Sequence, residues 1–274
     1  MKTWLITGAS NGLGRLMSES LLARGDRVLA CIRRSGSMAD LQRQYGDRLE
    51  VISLDLSITS AIAPAVDGAF HAVDRIDVVV SNAAYGLFGA AEELSDEQIQ
   101  RQIATNLTGS IQLIRAAIPH LRAQGGGRIV QVSSEGGQIA YPDFSLYHAT
   151  KWGIEGFVEA VRQEVVDFGI DFLLVEPGPT STHFGAGLDI ADALPCYSTT
   201  AAGTLREAIL SGTFDIKGDA AKCVAAMIAT SDAAHPPLRL ALGSSAYDRI
   251  EAGLSERLAA LHKQKSLAYG VDRG

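Results

Sequence analysis

No stretch of this 274-residue chain reaches the ~18 consecutive apolar residues of a membrane-crossing helix. Its first residues pass almost at once into a short apolar strand, Thr3 to Ile6, without the layout of a signal peptide. Cysteine is scarce: Cys31, Cys196 and Cys223 are odd in number, widely spaced and form no CxxC pair. That argues against a disulfide framework and predicts reduced thiols packed as small hydrophobes in a reducing compartment. The six histidines (His71, His120, His148, His183, His235, His262) have no metal-like spacing, so no metal is expected. Positive charge is also short. A net charge of −7, with Lys263 and Lys265 near the C-terminus too few to make a basic tail, argues against nucleic acid or an anionic membrane as the main partner. Repeats, low-complexity segments and inter-domain linkers are lacking. The expectation is a soluble, cytoplasmic protein.

What the chain does have is 47% hydrophobic residues, 28 glycines and a regular alternation of strand and helix patterns. These predict one doubly wound α/β domain spanning residues 1–274, with a seven-stranded parallel sheet covered by helices on both faces. Thr3–Ile6 leads into TGASNGLG and a helical pattern from Leu13 to Arg24. A strand, glycine turn and helix in this order can cradle a pyrophosphate: Gly8, Gly12 and Gly14 let backbone approach phosphate, and Ser10 and Asn11 add side-chain donors. The second strand, Arg27–Ile32, runs into Arg33 and Arg34 where an acidic residue would hold a ribose 2′-hydroxyl. Two cations there fit a 2′-phosphate, so NADP(H) is expected over NAD(H).

Further strands are predicted at Leu49–Leu54 (followed by Asp55-Leu56), Ile76–Val80 (followed by Ser81-Asn82-Ala83-Ala84), Arg128–Val132, Ile170–Val175 and Leu238–Leu242. Helices are predicted at Ser37–Gln44, around Pro64–Val73 with Pro64 near its start, Ser145–Phe168, Asp219–Thr230 and Tyr247–Lys265. Another begins with a capping box of Ser95 and Gln98, stapled by Leu94 on Ile99, and continues past Asn106 towards Gln124 with a local break at Gly109. Asn106 is a poor helix former there, which points to a hydrogen-bonding task. Residues 183–215 read as a mobile insert over the site, and 245–274 as a helical extension carrying Leu254, Leu258 and Leu261 on one stripe.

The chemistry centres on Ser134, Tyr147 and Lys151. Tyr147 and Lys151 are spaced to share a helix face. A phenol titrates near ~10. An ammonium about 4 Å away is worth roughly 4 kcal/mol at an effective dielectric of 20, or about three units, so the lysine is expected to acidify the tyrosine. Ser134 can hold a substrate oxygen beside it. Beyond Ile170–Val175, Pro177-Gly178-Pro179 fixes a rigid turn, and Thr180, Ser181 and Thr182 supply hydroxyls at the edge where open α/β sheets bind ligands.

Taken together, TGASNGLG, Asp55-Leu56, SNAA, Asn106, Ser134, YHATK and PGPTST resemble the short-chain dehydrogenase/reductase family in order and spacing, from Thr3 to Thr182. The resemblance implies an NADP(H)-dependent ketoreductase or alcohol dehydrogenase acting on the carbonyl or alcohol of an apolar small-molecule substrate, bulky ones included. It implies Tyr147 as general acid/base, Lys151 as the group that lowers its pKa and grips the nicotinamide ribose, Ser134 as the substrate-oxygen clamp, and Asn106 as holder of a relay water. Gly8, Gly12 and Gly14 would line the pyrophosphate, Arg33 the 2′-phosphate, Asp55 and Leu56 the adenine, and Asn82 and Ala83 a ribose. Pro177, Gly178, Thr180 and Thr182 would meet the nicotinamide end, with Ser10, Asn11, Leu13 and Arg34 beside these groups. Two departures stand out: Ala84 replaces the last glycine of NAG, and Pro179 removes a backbone donor. Family members pair through the helices holding Asn106 and Tyr147, so a homodimer or homotetramer is expected. The substrate pocket is expected from Glu135, Gln138, Tyr141, Phe144 and the insert, with Leu188, Ile190, Leu194, Leu205 and Ile209 as apolar candidates and His183 as a polar one. A rival reading is a catalytically silent NADP(H)-sensing protein of the same fold.

Overall fold

A computed structural model describes residues 1–273. The elements run β1 (Thr3–Thr7), α1 (Gly12–Ala23), β2 (Arg27–Ile32), α2 (Ala39–Tyr45), β3 (Leu49–Ser53), α3 (Thr59–His71), β4 (Val78–Ser81), β5 (Leu87–Phe88), α4 (Asp96–Gln102) and α5 (Gly109–Ala123). They continue as β6 (Gly127–Val132), α6 (Ser145–Val165), β7 (Ile170–Pro177), β8 (Asp189–Ile190), α7 (Ala201–Leu210), α8 (Ala220–Asp232), β9 (Arg239–Leu242), α9 (Ser244–Lys263) and α10 (Lys265–Tyr269). Seven strands form one sheet in the order β3-β2-β1-β4-β6-β7-β9, and every neighbouring pair is parallel. This is the doubly wound, Rossmann-like arrangement that the alternating pattern predicts.

The two-residue period of the strands sorts their side chains into two layers. Leu5, Leu29, Val79, Ile129 and Leu174 face α3, α5 and α6, whereas Trp4, Ile6, Val28, Val80, Val130 and Val175 face α1 and α8. Strand order reverses between β1 and β4, so a crevice opens beyond their carboxyl ends. The glycine turn sits there.

Several boundaries depart from expectation for identifiable reasons. Pro64 lies inside α3 rather than at its start, since the helix begins at Thr59. Gly109 does not break the helix. The segment Ile103–Thr108 widens into a π-helical turn between α4 and α5. Gly109 is instead needed for closeness, because a Cβ there would come within 2.6 Å of the Leu56 carbonyl oxygen. The capping box forms, with Gln98 N donating to Ser95 Oγ at 3.2 Å and Ser95 N donating to Gln98 Oε1 at 3.1 Å.

The 183–215 insert is built and fastened. Strand β8 pairs with β5 in a separate parallel ladder. Asp189 accepts from Gln98 and pairs with Arg101, Leu194 N donates to Glu93 Oε1 at 2.7 Å, and Arg206 of α7 bridges Glu93 and Asp143. Cys31 and Cys223 are buried as expected. Cys196 is exposed within the insert, contrary to the packed-thiol expectation, because the turn Pro195–Tyr197 lies on the surface.

Candidate active site

The turn between β1 and α1 is shaped by its glycines. Gly8 and Gly12 hold φ values of +66° and +53°, in the left-handed region that side chains resist. A Cβ on Gly14 would approach Asn82 Nδ2 to 2.6 Å and press into the Gly8 carbonyl. Asn82 Nδ2 in turn donates to Thr7 O at 2.9 Å and Gly8 O at 3.3 Å, while the Thr7 hydroxyl accepts from the backbone N–H groups of Asn82 and Ala83. Asn82 is thus a clamp on the turn, with its amide nitrogen turned towards the turn's carbonyls. Asn11 caps α1, its Oδ1 accepting from Gly12 N at 2.8 Å, and Leu13 packs against the core. Ser10 is half-buried at the same turn.

Opposite lies the segment after β7. Gly178 N donates to Leu242 O at 3.0 Å, and Thr180 Oγ1 donates to Gly178 O at 2.8 Å, so the Pro177-Gly178 corner is held in place. Asn11, Gly12, Arg15, Leu16, Glu19, Ser181, Thr182 and His183 line a cleft of about 470 Å³ between the two segments. His183 is exposed on this side, outside the apolar cluster around Tyr147. Arg33 and Arg34 are exposed just beyond β2, and neither forms an ion pair among the described residues. Asp55 Oδ1 accepts from Ser57 N and Ser57 Oγ, and Leu56 is buried in the core. Only the Leu56 backbone is therefore available to a ligand. An open turn with no Cβ, a helix N-terminus, a hydroxyl-bearing segment opposite and two unpaired arginines at the next strand end together fit a phosphorylated dinucleotide.

Ser134, Tyr147 and Lys151 meet at the carboxyl edge of β6. Ser134 follows that strand, and its Oγ accepts from Gly136 N at 3.1 Å. Tyr147 and Lys151 project from one face of α6, with Lys151 Nζ lying 5.5 Å from the centre of the Tyr147 ring. Lys151 Nζ donates to Val132 O at 2.9 Å. Burial pushes the Tyr147 phenol up to about 12, with the Ser134 hydroxyl pulling the other way and the Glu135 charge adding to the rise. Burial also brings Lys151 down to about 8, opposed by the charge of Glu155. The expected acidification of the tyrosine by the lysine is therefore not found in the protein alone. The ammonium is drawn to the Val132 carbonyl and the ring, and desolvation of the phenolate outweighs its attraction.

Asn106 is buried at the π-helical turn. Its Oδ1 accepts from Tyr85 N at 3.1 Å, its Nδ2 donates to Tyr85 O at 2.8 Å, and its own carbonyl accepts from Ser110 Oγ at 3.0 Å. The wide turn is what aims this side chain at the loop after β4.

Around Tyr147 is an apolar cluster of Phe88 and Phe144, with Tyr141, Leu188, Leu205 and Ile209 packed on it. Three of the five apolar candidates of the insert thus reach the site. Ile190 and Leu194 point to solvent. Phe184 adds an edge contact, its ring centre 5.7 Å from that of Tyr147. Of the polar candidates, Gln138 Nε2 is spent on Glu176 at 2.6 Å, and Glu135 pairs with Arg249 at 2.7 Å. His148 is a packing residue, as expected, and accepts from Tyr141 N at 3.2 Å.

Sequence reasoning missed the layer behind these groups. Glu155, one turn after Lys151, is buried, accepts from the Ser133 hydroxyl and pairs with Arg239 at 2.5 Å; Arg239 also engages Glu176 and Glu159. The four-residue step from Tyr147 to Lys151 to Glu155 was the available signal. No group of histidine, cysteine or carboxylate side chains suited to a metal occurs among the described residues, and no described helix is long and apolar enough to cross a membrane.

A sequence profile of short chain dehydrogenases matches residues 2–191. The chain is 32% identical over 249 residues to the oxidoreductase BOA17 of Botryotinia fuckeliana, with 90% of each protein covered. It is 30% identical over 188 residues to a 3-ketodihydrosphingosine reductase of Bacteroides thetaiotaomicron, covering 69% of this chain and 67% of that one. A solved short-chain dehydrogenase from Streptomyces avermitilis superposes with a TM-score of 0.90 at 36% identity, over 99% of this chain and 98% of the other. One from Burkholderia cenocepacia, in complex with NADP, shares the fold with a TM-score of 0.74 at 24% identity, over 96% and 98%.

Proposed function

Since this chain belongs to the short-chain dehydrogenase family of oxidoreductases, we propose that it is an NADP(H)-dependent enzyme that interconverts the carbonyl and alcohol forms of an apolar substrate, bulky ones included. The observation that carries this reading is the meeting of Ser134, Tyr147 and Lys151 beside the apolar cluster to which Tyr147 belongs, at the sheet edge that also carries the glycine turn.

When bound, the dinucleotide would supply or accept the hydride. Gly8, Gly12 and Gly14, with Ser10, Asn11 and Leu13 around them, would hold its phosphates, and Arg33 with Arg34 would take the 2′-phosphate. Asp55, the Leu56 backbone, Asn82 and Ala83 would border the adenosine half. Pro177, Gly178, Thr180 and Thr182 would border the nicotinamide half. Tyr147 is protonated at neutral pH, so in reduction it acts as the acid that delivers a proton to the substrate oxygen. Ser134 holds that oxygen in place. Lys151 keeps a positive charge beside the tyrosine and stabilises the phenolate that forms when the proton leaves. Asn106 sets the loop after β4 and serves the path by which the proton is replaced. The whole chain works as one catalytic domain in a homo-oligomer, and the 183–215 insert roofs the substrate.

A panel of ketones and aldehydes assayed with NADPH and with NADH, following loss of nicotinamide absorbance, tests this. Turnover of an apolar ketone with NADPH is expected. Tight NADPH binding without turnover of any substrate, in either direction, would instead favour the nucleotide-sensing rival. A tenfold preference for NADH would overturn the cofactor assignment.

A further inference from the structure

Helix α9 leaves the body of the fold along its length. Ala246 and Ile250 are buried, and Arg249 and Arg257 reach back to Glu135 and to the Gln138 carbonyl. From Glu251 to Arg273, every residue except Gly253 is exposed. Yet the exposed surface carries an apolar stripe: Tyr247, Leu254, Leu258 and Leu261 are 58%, 47%, 53% and 62% exposed and recur at helical spacing. The stripe runs about 21 Å at the usual helical rise. Nothing among the described residues covers it.

We propose that a second copy of this chain covers the stripe, the two α9 helices packing antiparallel about a two-fold axis at Leu258. The register follows from the residues themselves. With the axis there, Leu254 falls within one residue of the partner's Leu261 and the reverse, Leu258 lies beside its symmetry mate, and Tyr247 faces the partner's α10. One surface thus serves both subunits, as a two-fold interface requires. Charge fixes the direction. Glu251 flanks the stripe near one end and Lys265 near the other, and neither forms an ion pair among the described residues; the Lys265 ammonium rests only 5.5 Å from the centre of the Tyr269 ring. Antiparallel packing brings Glu251 to the partner's Lys265 twice. Parallel packing would set like against like. A membrane surface fits less well, since the flanks carry both signs and the chain is acidic at −7. On its inner side α9 rests on the helix that holds Tyr147, with Arg257 over the Trp152 ring of α6 at 5.0 Å.

Sedimentation equilibrium of the full chain tests the proposal. Leu254→Glu with Leu258→Glu is expected to halve the wild-type mass while circular dichroism is unchanged. Glu251→Lys is expected to do the same, and adding Lys265→Glu to restore the mass. As an independent reading, Leu258→Cys in a Cys196→Ser background is expected to form an inter-subunit disulfide under a mild copper oxidant. Unchanged mass in the leucine variant, or no recovery in the charge-swapped one, would overturn the interface. So would cross-linking through Glu251→Cys in preference to Leu258→Cys, which would mean parallel helices. Binding of wild type, but not of the leucine variant, to phosphatidylcholine–phosphatidylglycerol vesicles with no change in mass would overturn it in favour of a lipid surface.

Discussion

The Lys151 ammonium lies 5.5 Å from the centre of the Tyr147 ring and gives its hydrogen bond to the Val132 carbonyl. Both groups are buried, and burial drives them towards neutrality from opposite sides: the phenol up to about 12, the ammonium down to about 8. At pH 7 the tyrosine is a proton donor and the lysine is still charged. That is the pairing the proposed reduction calls for, a proton on the phenol and a cation beside it.

Replacing Tyr147 by phenylalanine removes the proton and little else, since the ring still fills the cluster with Phe88 and Phe144. Turnover is expected to fall by about 10²–10⁴-fold, the usual worth of a general acid. The dissociation constant for NADPH, read by fluorescence titration, is expected to stay within about threefold.

Stability should carry a signature of Lys151. Its pKa falls from 10.5 to about 8 on folding, so between those values the unfolded chain binds more protons and stability rises with pH. Cys31 and Tyr147 act in reverse. Folding raises them from 9.0 and 10.0 to about 12, so stability falls as pH passes about 9 to 10. Lys151→Met abolishes only the rise. Urea unfolding at pH 8 and pH 9 should show wild type gaining on the variant by up to about 1.4 kcal/mol per unit. Parallel profiles would contradict a depressed lysine.

Arg33→Ala is expected to raise the KM for NADPH at least tenfold while changing that for NADH by less than threefold. A variant that weakens both equally would show that Arg33 supports the fold of the β2 end instead of a 2′-phosphate.

Gly14→Ala places a methyl group 2.6 Å from Asn82 Nδ2 and against the Gly8 carbonyl. Overpacking of this kind costs about 1–3 kcal/mol. A lowered Tm together with lost dinucleotide binding is expected. Gly12→Ala has room, with Thr182 Cβ at 3.8 Å its nearest neighbour, but takes its penalty from the positive φ.

Arg206→Met leaves the buried carboxylates of Glu93 and Asp143 facing one another without a cation. Limited proteolysis should then cut within residues 183–215 well before the wild-type chain is cut. Equal cleavage rates would mean that the Asp189 and β5–β8 contacts suffice to hold the insert.

Much of the architecture was legible because it is written in local rules. The apolar run Ile76–Val80 marked a strand, Ser95 with Gln98 announced a helix start, and Tyr147 with Lys151 declared a shared face. What escaped depends on contacts between distant segments. Gly109 looked like a break, but its lack of a side chain serves the approach to Leu56, which no window around residue 109 contains. Asn82 was read for its place beside a ribose, and its second task, holding Thr7 and Gly8 through its amide, lies between segments 74 and 75 positions apart. The sign of the Tyr147 shift was misjudged because a charge separation can be guessed from spacing, while desolvation depends on Phe88, Phe144 and the insert closing over the ring. The small β5–β8 ladder is two residues per strand, too short for any periodicity to register.

Glu135, the neighbour of Ser134, finds its counter-ion in Arg249, 114 positions further along. A polypeptide still emerging from the ribosome and short of residue 249 would have to leave this carboxylate hydrated, and with it the loop that carries the serine. The loop that carries the serine therefore gains its full set of contacts only late in synthesis, once the helix bearing Arg249 has docked.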